Sequence, residues 1–332
     1  MSKIIDYLTI MFDYLLKKIE ASPIKTKPFT HIEIEDFFNS EDFKKIINSN
    51  QIKFDSFNND SHLFESLLEN GYKIIEFPGC IANRKEYIDW HQKKWKNIDL
   101  NPACESFGMA LRLDKKDDAF ISSVSDFFSS DLFIKTISEK LGVDASETYF
   151  DGGIQKYLDG YEISPHPDIR RKAITYMVNI NPDHNSENLN HHTHYLEFKK
   201  EYEYLYSFWR NNIDIERCWV PWSWCKDIKI QNKNNSIVIF SPSDDTLHAV
   251  KANYNHLPNQ RTQIYGNLWF KDIPNLSKKE WYQLDLVNDQ VSTNLNASFL
   301  EKVISRIRKK KFSTKIKDKN IIKSKNKSAK YN

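Results

Sequence analysis

A mainly β fold with supporting helices is the class this chain predicts, and three observations carry it. Beyond Glu147, short extended runs recur between clusters of Asn, Asp, Gly and Pro. One of them, Ser236-Ile-Val-Ile-Phe-Ser241, is a continuous apolar run bounded by turn formers, as expected of a strand buried on both faces. Before that boundary the apolar spacing is mostly helical, so a β-sandwich or jelly roll buttressed by helices is expected. With 332 residues, 40% hydrophobic and 14% aromatic content, and only 8 Gly and 11 Pro, the chain can bury a full core.

Residues 4–19 are rich in apolar positions, but Asp6, Asp13, Lys17 and Lys18 interrupt any membrane-spanning run. No small-residue cleavage site follows, which argues against a secretory signal. An amphipathic extension over 1–27 is expected, packed on the body, resting on a membrane surface or forming a homodimer contact. Helical support follows over 28–146. There Phe29–Phe38 reads as a strand leading into a helix capped by Ser40, and Val124–Leu141 as one helix.

The β core spans 147–273, with strands expected at Ile154–Leu158, Ala173–Asn181, His194–Phe198, Ser236–Ser241 and Gln263–Phe270. Within it, 183–235 is too long for a simple loop and holds Trp209, Trp219, Trp222 and Trp224. It reads as an ordered aromatic-rich insertion over one end of the sandwich, serving as a substrate lid, a protein interface or a packed subdomain. A helical segment is expected at 274–300 and a basic, disordered tail at 301–332.

Thirteen of the 48 Lys and Arg residues lie in that tail against two acidic residues, which leaves the body acidic although the whole chain carries +3. Such a tail can touch nucleic acid, acidic lipid or another acidic surface, or simply remain solvated. Cys80, Cys104, Cys218 and Cys225 show no C-x-x-C spacing and are too sparse for a disulfide framework. A reducing, cytoplasmic setting is expected.

The chemistry concentrates in His166-Pro167-Asp168, with His248 82 residues after His166 and Arg261 13 residues further on. Pro167 pushes His166 toward an extended conformation, in which residues i and i+2 project to one side. Two imidazoles and one carboxylate can hold one face of an octahedral ferrous ion and leave the other face open. A structural zinc site would be closed by four ligands, often thiolates, and no thiolate is near these motifs. His191, His192 and His194 form the densest histidine cluster but lack a supporting carboxylate or Cys; metal binding, substrate contact and plain packing all remain open. Arg170-Arg171-Lys172 reads either as an attractor for an anionic substrate or as a solvated turn.

The stretch Tyr157-Leu-Asp-Gly160-Tyr161-Glu-Ile-Ser-Pro-His166-Pro-Asp168 resembles the Y-x-x-G-x-x-Y-x-x-H-x-D region of 2-oxoglutarate and Fe(II) dependent dioxygenases of the prolyl hydroxylase type, with two extra residues before the His. Lys172–Asn179 looks like that family's next core strand, Thr246-Leu-His248-Ala-Val supplies a distal histidine, and Arg261–Trp269 matches the final strand. The resemblance implies a double-stranded β-helix core, jelly-roll and cupin-like, with His166, Asp168 and His248 as iron ligands. It also implies Fe(II), 2-oxoglutarate and dioxygen as cofactor and cosubstrates, with ascorbate in support.

Arg261 suits the distal carboxylate of 2-oxoglutarate, because a guanidinium answers a planar anion with two parallel hydrogen bonds. Its gap from His248 is slightly longer than the family's, and the turn Tyr254–Gln260 absorbs the difference. Tyr157 and Thr175 occupy positions of expected cosubstrate contacts. The expected reaction is hydroxylation of an unactivated carbon in a small molecule, sugar or amino acid. A peptidyl prolyl or lysyl hydroxylase, a nucleic-acid demethylase and a non-catalytic jelly-roll binding module are the alternatives.

Overall fold

The computed structural model describes residues 2–93, 103–212, 215 and 218–272, with side chains described from residue 11 onward. Its strands are β1 (Ile32–Ile34), β2 (Tyr72–Ile74), β3 (Ala110–Leu113), β4 (Thr148–Tyr157), β5 (Glu162–His166), β6 (Lys172–Asn179), β7 (Thr193–Phe198), β8 (Cys225–Gln231), β9 (Ile237–Phe240), β10 (His248–Lys251) and β11 (Arg261–Phe270). They form a large sheet in the order β1-β9-β6-β11-β4-β3-β2 and a small sheet in the order β5-β10-β7-β8. From β4 onward the chain passes back and forth between the two, so that β9-β6-β11-β4 and β5-β10-β7-β8 are wound together. That winding is a double-stranded β-helix, the core expected above.

The helices are α1 (Ser2–Ala21), α2 (Ser40–Asn48), α3 (Asp60–Glu69), α4 (Arg84–Gln92), α5 (Ala119–Phe128), α6 (Asp131–Leu141) and α7 (Tyr204–Asn211). Phe12, Leu15, Leu16 and Ile19 of α1 share one buried cluster with Ile174, Tyr176 and Val178 of β6 and Ile264 and Leu268 of β11. The apolar face of β11 therefore meets the helical layer, while Arg261, Gln263, Tyr265, Asn267 and Trp269 line the space between the sheets. Among the described residues no helix is long and apolar enough to cross a membrane.

Three expectations are corrected. Val124–Leu141 is two helices, because the Ser130 hydroxyl accepts from the Phe133 N–H at 3.2 Å and starts α6 as a fresh N-cap. The cap of α2 is Asn39, whose Oδ1 accepts from Asp42 N–H at 2.8 Å, and Ser40 is the first helical residue. The supposed insertion at 183–235 contains β7 and β8, half of the small sheet, and 199–224 is the long connection between these two strands. β8 escaped notice because it is a sheet edge whose Ile228 and Ile230 face outward among charges, giving no apolar run. The expectations for 274–300 and 301–332 lie outside the described residues.

Gly266 leaves room for the ring of Tyr176, its partner on the neighbouring strand β6. A Cβ there would stand 2.4 Å from the hydroxyl of Tyr176, a fully buried ring. Gly266→Ala is expected to cost about 1–3 kcal/mol through overpacking, measured as a lower urea midpoint at unchanged slope.

Candidate active site

β5 ends at His166 and β10 begins at His248, and the two residues are direct cross-strand partners. Asp168 follows in a left-handed backbone conformation, φ 73°, not the continued extended chain that the sequence reading assumed. Aspartate is among the few residues that enter this region readily. The turn is anchored where the Thr246 hydroxyl donates to the Pro167 carbonyl at 2.7 Å.

The ligand atoms of His166, Asp168 and His248 all lie within 4.8 Å of one another. Nε2 of His166 is 3.4 Å from Asp168 Oδ1, and Nε2 of His248 is 3.7 Å from Oδ2. Each Nδ1 faces a backbone carbonyl, Ser164 O at 2.9 Å and Thr246 O at 2.8 Å, so it carries the proton. Both Nε2 lone pairs are left for a cation, and with a single carboxylate this donor set fits Fe(II). Burial, with His166 alongside, pushes His248 down to about 3 and keeps it neutral. Burial opposes ionisation of Asp168, but the Lys172 ammonium beside it overcomes this and holds the carboxyl well below its usual range.

These three residues line a cavity of about 420 Å³ between the sheets. Arg261 lines it too, 2% exposed, its Nη2 donating to Thr193 Oγ1 and Gln263 Oε1, both at 3.0 Å. Its guanidinium lies 4.7 Å from the centre of the Tyr157 ring, and among the described residues no carboxylate pairs with it. Thr175 sits behind Asp168, donating to Oδ2 at 2.8 Å, and does not line the cavity.

From the sequence, Lys172 belongs to a basic turn that either attracts an anionic substrate or is solvated. Its Nζ reaches Asp168 Oδ1 at 2.6 Å and the Tyr265 hydroxyl at 3.1 Å inside the cavity. Arg170 is committed elsewhere, donating to the carbonyls of Ile215 and Trp209 and pairing with Asp244 at 3.2 Å. That arginine ties the aromatic segment to the metal-side turn, and Cys218 and Trp219 of the segment reach the cavity wall. His191 and His192 are buried beside Tyr254; burial and the nearby Arg261 push them down to about 2 and 4. His194 pairs with Asp227 at 2.8 Å, and none of the three belongs to a group able to hold a metal among the described residues.

A second cluster, Asp60, His91 and His256, went unread. Asp60 receives His91 Nδ1 and His256 Nε2, both at 2.8 Å, while His256 Nδ1 accepts from the Asp159 N–H at 2.9 Å. The cluster joins α3 and α4 to the turn before Arg261, where Gln260 Nε2 donates to the His256 carbonyl. A lone histidine in a polar turn carries no sequence signal for such a network.

The molecule is thus a double-stranded β-helix protein with a convergent pair of histidines and a carboxylate in its inter-sheet cavity. No family model matches the chain, and no curated protein matches it. Solved structures do. A prolyl hydroxylase in complex with a hypoxia inducible factor oxygen degradation domain peptide fragment from Trichoplax adhaerens is 12% identical over 82% of this chain and 95% of that one, TM-score 0.40. A Pseudomonas putida prolyl-4-hydroxylase is 8% identical over 79% and 100%, TM-score 0.35. EvdO2 from Micromonospora carbonacea var. aurantiaca complexed with 2-oxoglutarate is 12% identical over 64% and 93%, TM-score 0.27. At such identities and scores the residues themselves carry the functional reading.

Proposed function

We propose that this chain is a non-haem Fe(II) and 2-oxoglutarate dependent dioxygenase that hydroxylates an unactivated carbon of a small molecule, sugar or amino acid. The supporting observation is a single cavity holding three convergent donors and a buried guanidinium that pairs with no carboxylate among the described residues. When bound, iron and 2-oxoglutarate supply an oxidant from dioxygen, with release of CO2 and succinate.

The chain's own residues do the rest. His166 and His248 present Nε2, and their Nδ1 hydrogen bonds fix the ring orientations. Asp168 offers one oxygen while the Thr175 hydroxyl holds the carboxylate in place. Arg261, flanked by Thr193 and Gln263 over the Tyr157 ring, receives the distal carboxylate of the cosubstrate. Tyr157, Tyr161, Val250 and Trp219 line the walls, limiting water around the reacting centre.

Anaerobic titration with Fe(II) and then 2-oxoglutarate is expected to develop a weak visible charge-transfer band. A fully metallated protein that never shows it would sink the reading. Arg261→Gln is expected to raise the 2-oxoglutarate concentration for half-saturation at least about tenfold, since a charge-assisted pair is lost. An unchanged midpoint would remove Arg261 from the cosubstrate site.

A further inference from the structure

We propose that the molecule oxidised in this cavity carries an oxyanion, a carboxylate or a phosphate, and that Lys172 receives it. The proposal rests on the dioxygenase reading and names the substrate class of that same site.

Lys172 is a buried cation, its side chain 11% exposed, with Nζ on the cavity wall. Tyr265 and Trp269 present ring faces 5.8 and 5.6 Å from Nζ. An ammonium has three donors; Asp168 and Tyr265 occupy two. Among the described residues its one carboxylate partner, Asp168, is also the acid of the metal-holding group. Once the charge of Asp168 faces a dication, Lys172 is left as a buried charge without a matching anion, which is costly in a dry site. An anionic group on the substrate restores the balance.

Position separates this site from the cosubstrate's. Lys172 begins β6 opposite Trp269, near the end of β11, whereas Arg261 begins that strand. A carboxylate bound at Arg261 therefore leaves Lys172 for a second ligand. The other cation on this wall, Arg112, is already committed. Asp151 takes two of its N–H groups at 2.7 and 3.4 Å, and the Gln155 amide oxygen, turned toward it, lies 2.9 Å from Nη2.

The test uses the protein loaded with Fe(II) and 2-oxoglutarate without oxygen, and three matched probes: phenylacetate, phenyl phosphate and phenylacetamide. Binding is followed by tryptophan fluorescence, to which Trp269 beside Lys172 contributes. At least one acid is expected to bind about tenfold or more tighter than the amide. That preference is expected to vanish in Lys172→Met and to persist in Lys172→Arg. The acid that prevails tells carboxylate from phosphate. Equal binding of acids and amide, failure of both acids to bind, or a preference that survives Lys172→Met overturns the proposal. The charge-transfer band in the same samples reports separately on the dioxygenase reading: the band without acid preference sinks only this proposal, and acid preference without the band leaves an anion site at Lys172 but sinks that reading and, with it, the claim that the bound anion is oxidised.

Discussion

In His166→Ala, iron-dependent succinate formation is expected to fall to background, with Fe(II) affinity lower by at least about a hundredfold, since even loss of an outer-shell partner costs about 10–100-fold. His166 supplies one of three donors, and Asp168 and His248 alone cannot define a face of an octahedron. The fold is expected to persist, because His166 ends its strand and keeps 15% of its side chain exposed. Asp168→Asn makes the complementary test. Asparagine tolerates the left-handed conformation at φ 73° and removes the charge while leaving the backbone unstrained. Metal affinity is expected to drop, and the denaturation midpoint with it, because Lys172 keeps its buried charge and loses its carboxylate partner. Wild-type iron affinity in either variant would show that the ion is held elsewhere.

Lys156 gives the second large effect, on stability. It is fully buried behind the cavity floor, with Nζ donating to the Ile52 carbonyl at 2.7 Å and to Thr262 Oγ1 at 2.9 Å. Burial pushes it down to about 7. In the unfolded chain the same amine stays protonated up to its ordinary value of 10.5, so between those limits the unfolded state binds more protons. Stability from this group therefore rises with pH above about 7, at roughly 1.4 kcal/mol per unit, and is lost as pH falls toward 7. Lys156→Met removes the slope. Urea unfolding of both proteins from about pH 7 to 9 is expected to show the wild type gaining on the variant by on the order of 2–3 kcal/mol. Parallel profiles would mean that the buried amine stays charged. Half-buried Cys218 and buried Cys225, which burial pushes up to about 11 and 12, titrate equally in both proteins and cancel in the difference.

Legibility in the sequence followed the apolar residues. β6, β9 and β11 were readable because they are central strands, buried against helices on one face and the second sheet on the other. β5, Glu-Ile-Ser-Pro-His, and β10, His-Ala-Val-Lys, are short and spend their positions on chemistry and a proline, so no periodicity announces them. The residues of the candidate metal group were nonetheless found, because an H-x-D pair and a distal histidine are marked by type and order. Lys156 was not, and Lys172 was marked only as one residue of a basic turn, without its burial or its partners. A buried lysine and a solvated one are the same letter, and only the partners that surround each one distinguish them.

His166 and His248 face each other across one strand pair. The two residues close a chain segment of 81 intervening positions that contains β6, β7, β8 and β9. An ion gripping both imidazoles would act as a rivet across that long loop, contributing about 2.7 kcal/mol at a hundredfold excess over its dissociation constant. Because β5 and β10 also pair at Val250 with Ile163 and at Lys251 with Glu162, the strands would hold without the ion, which would raise the unfolding midpoint of a chain already folded.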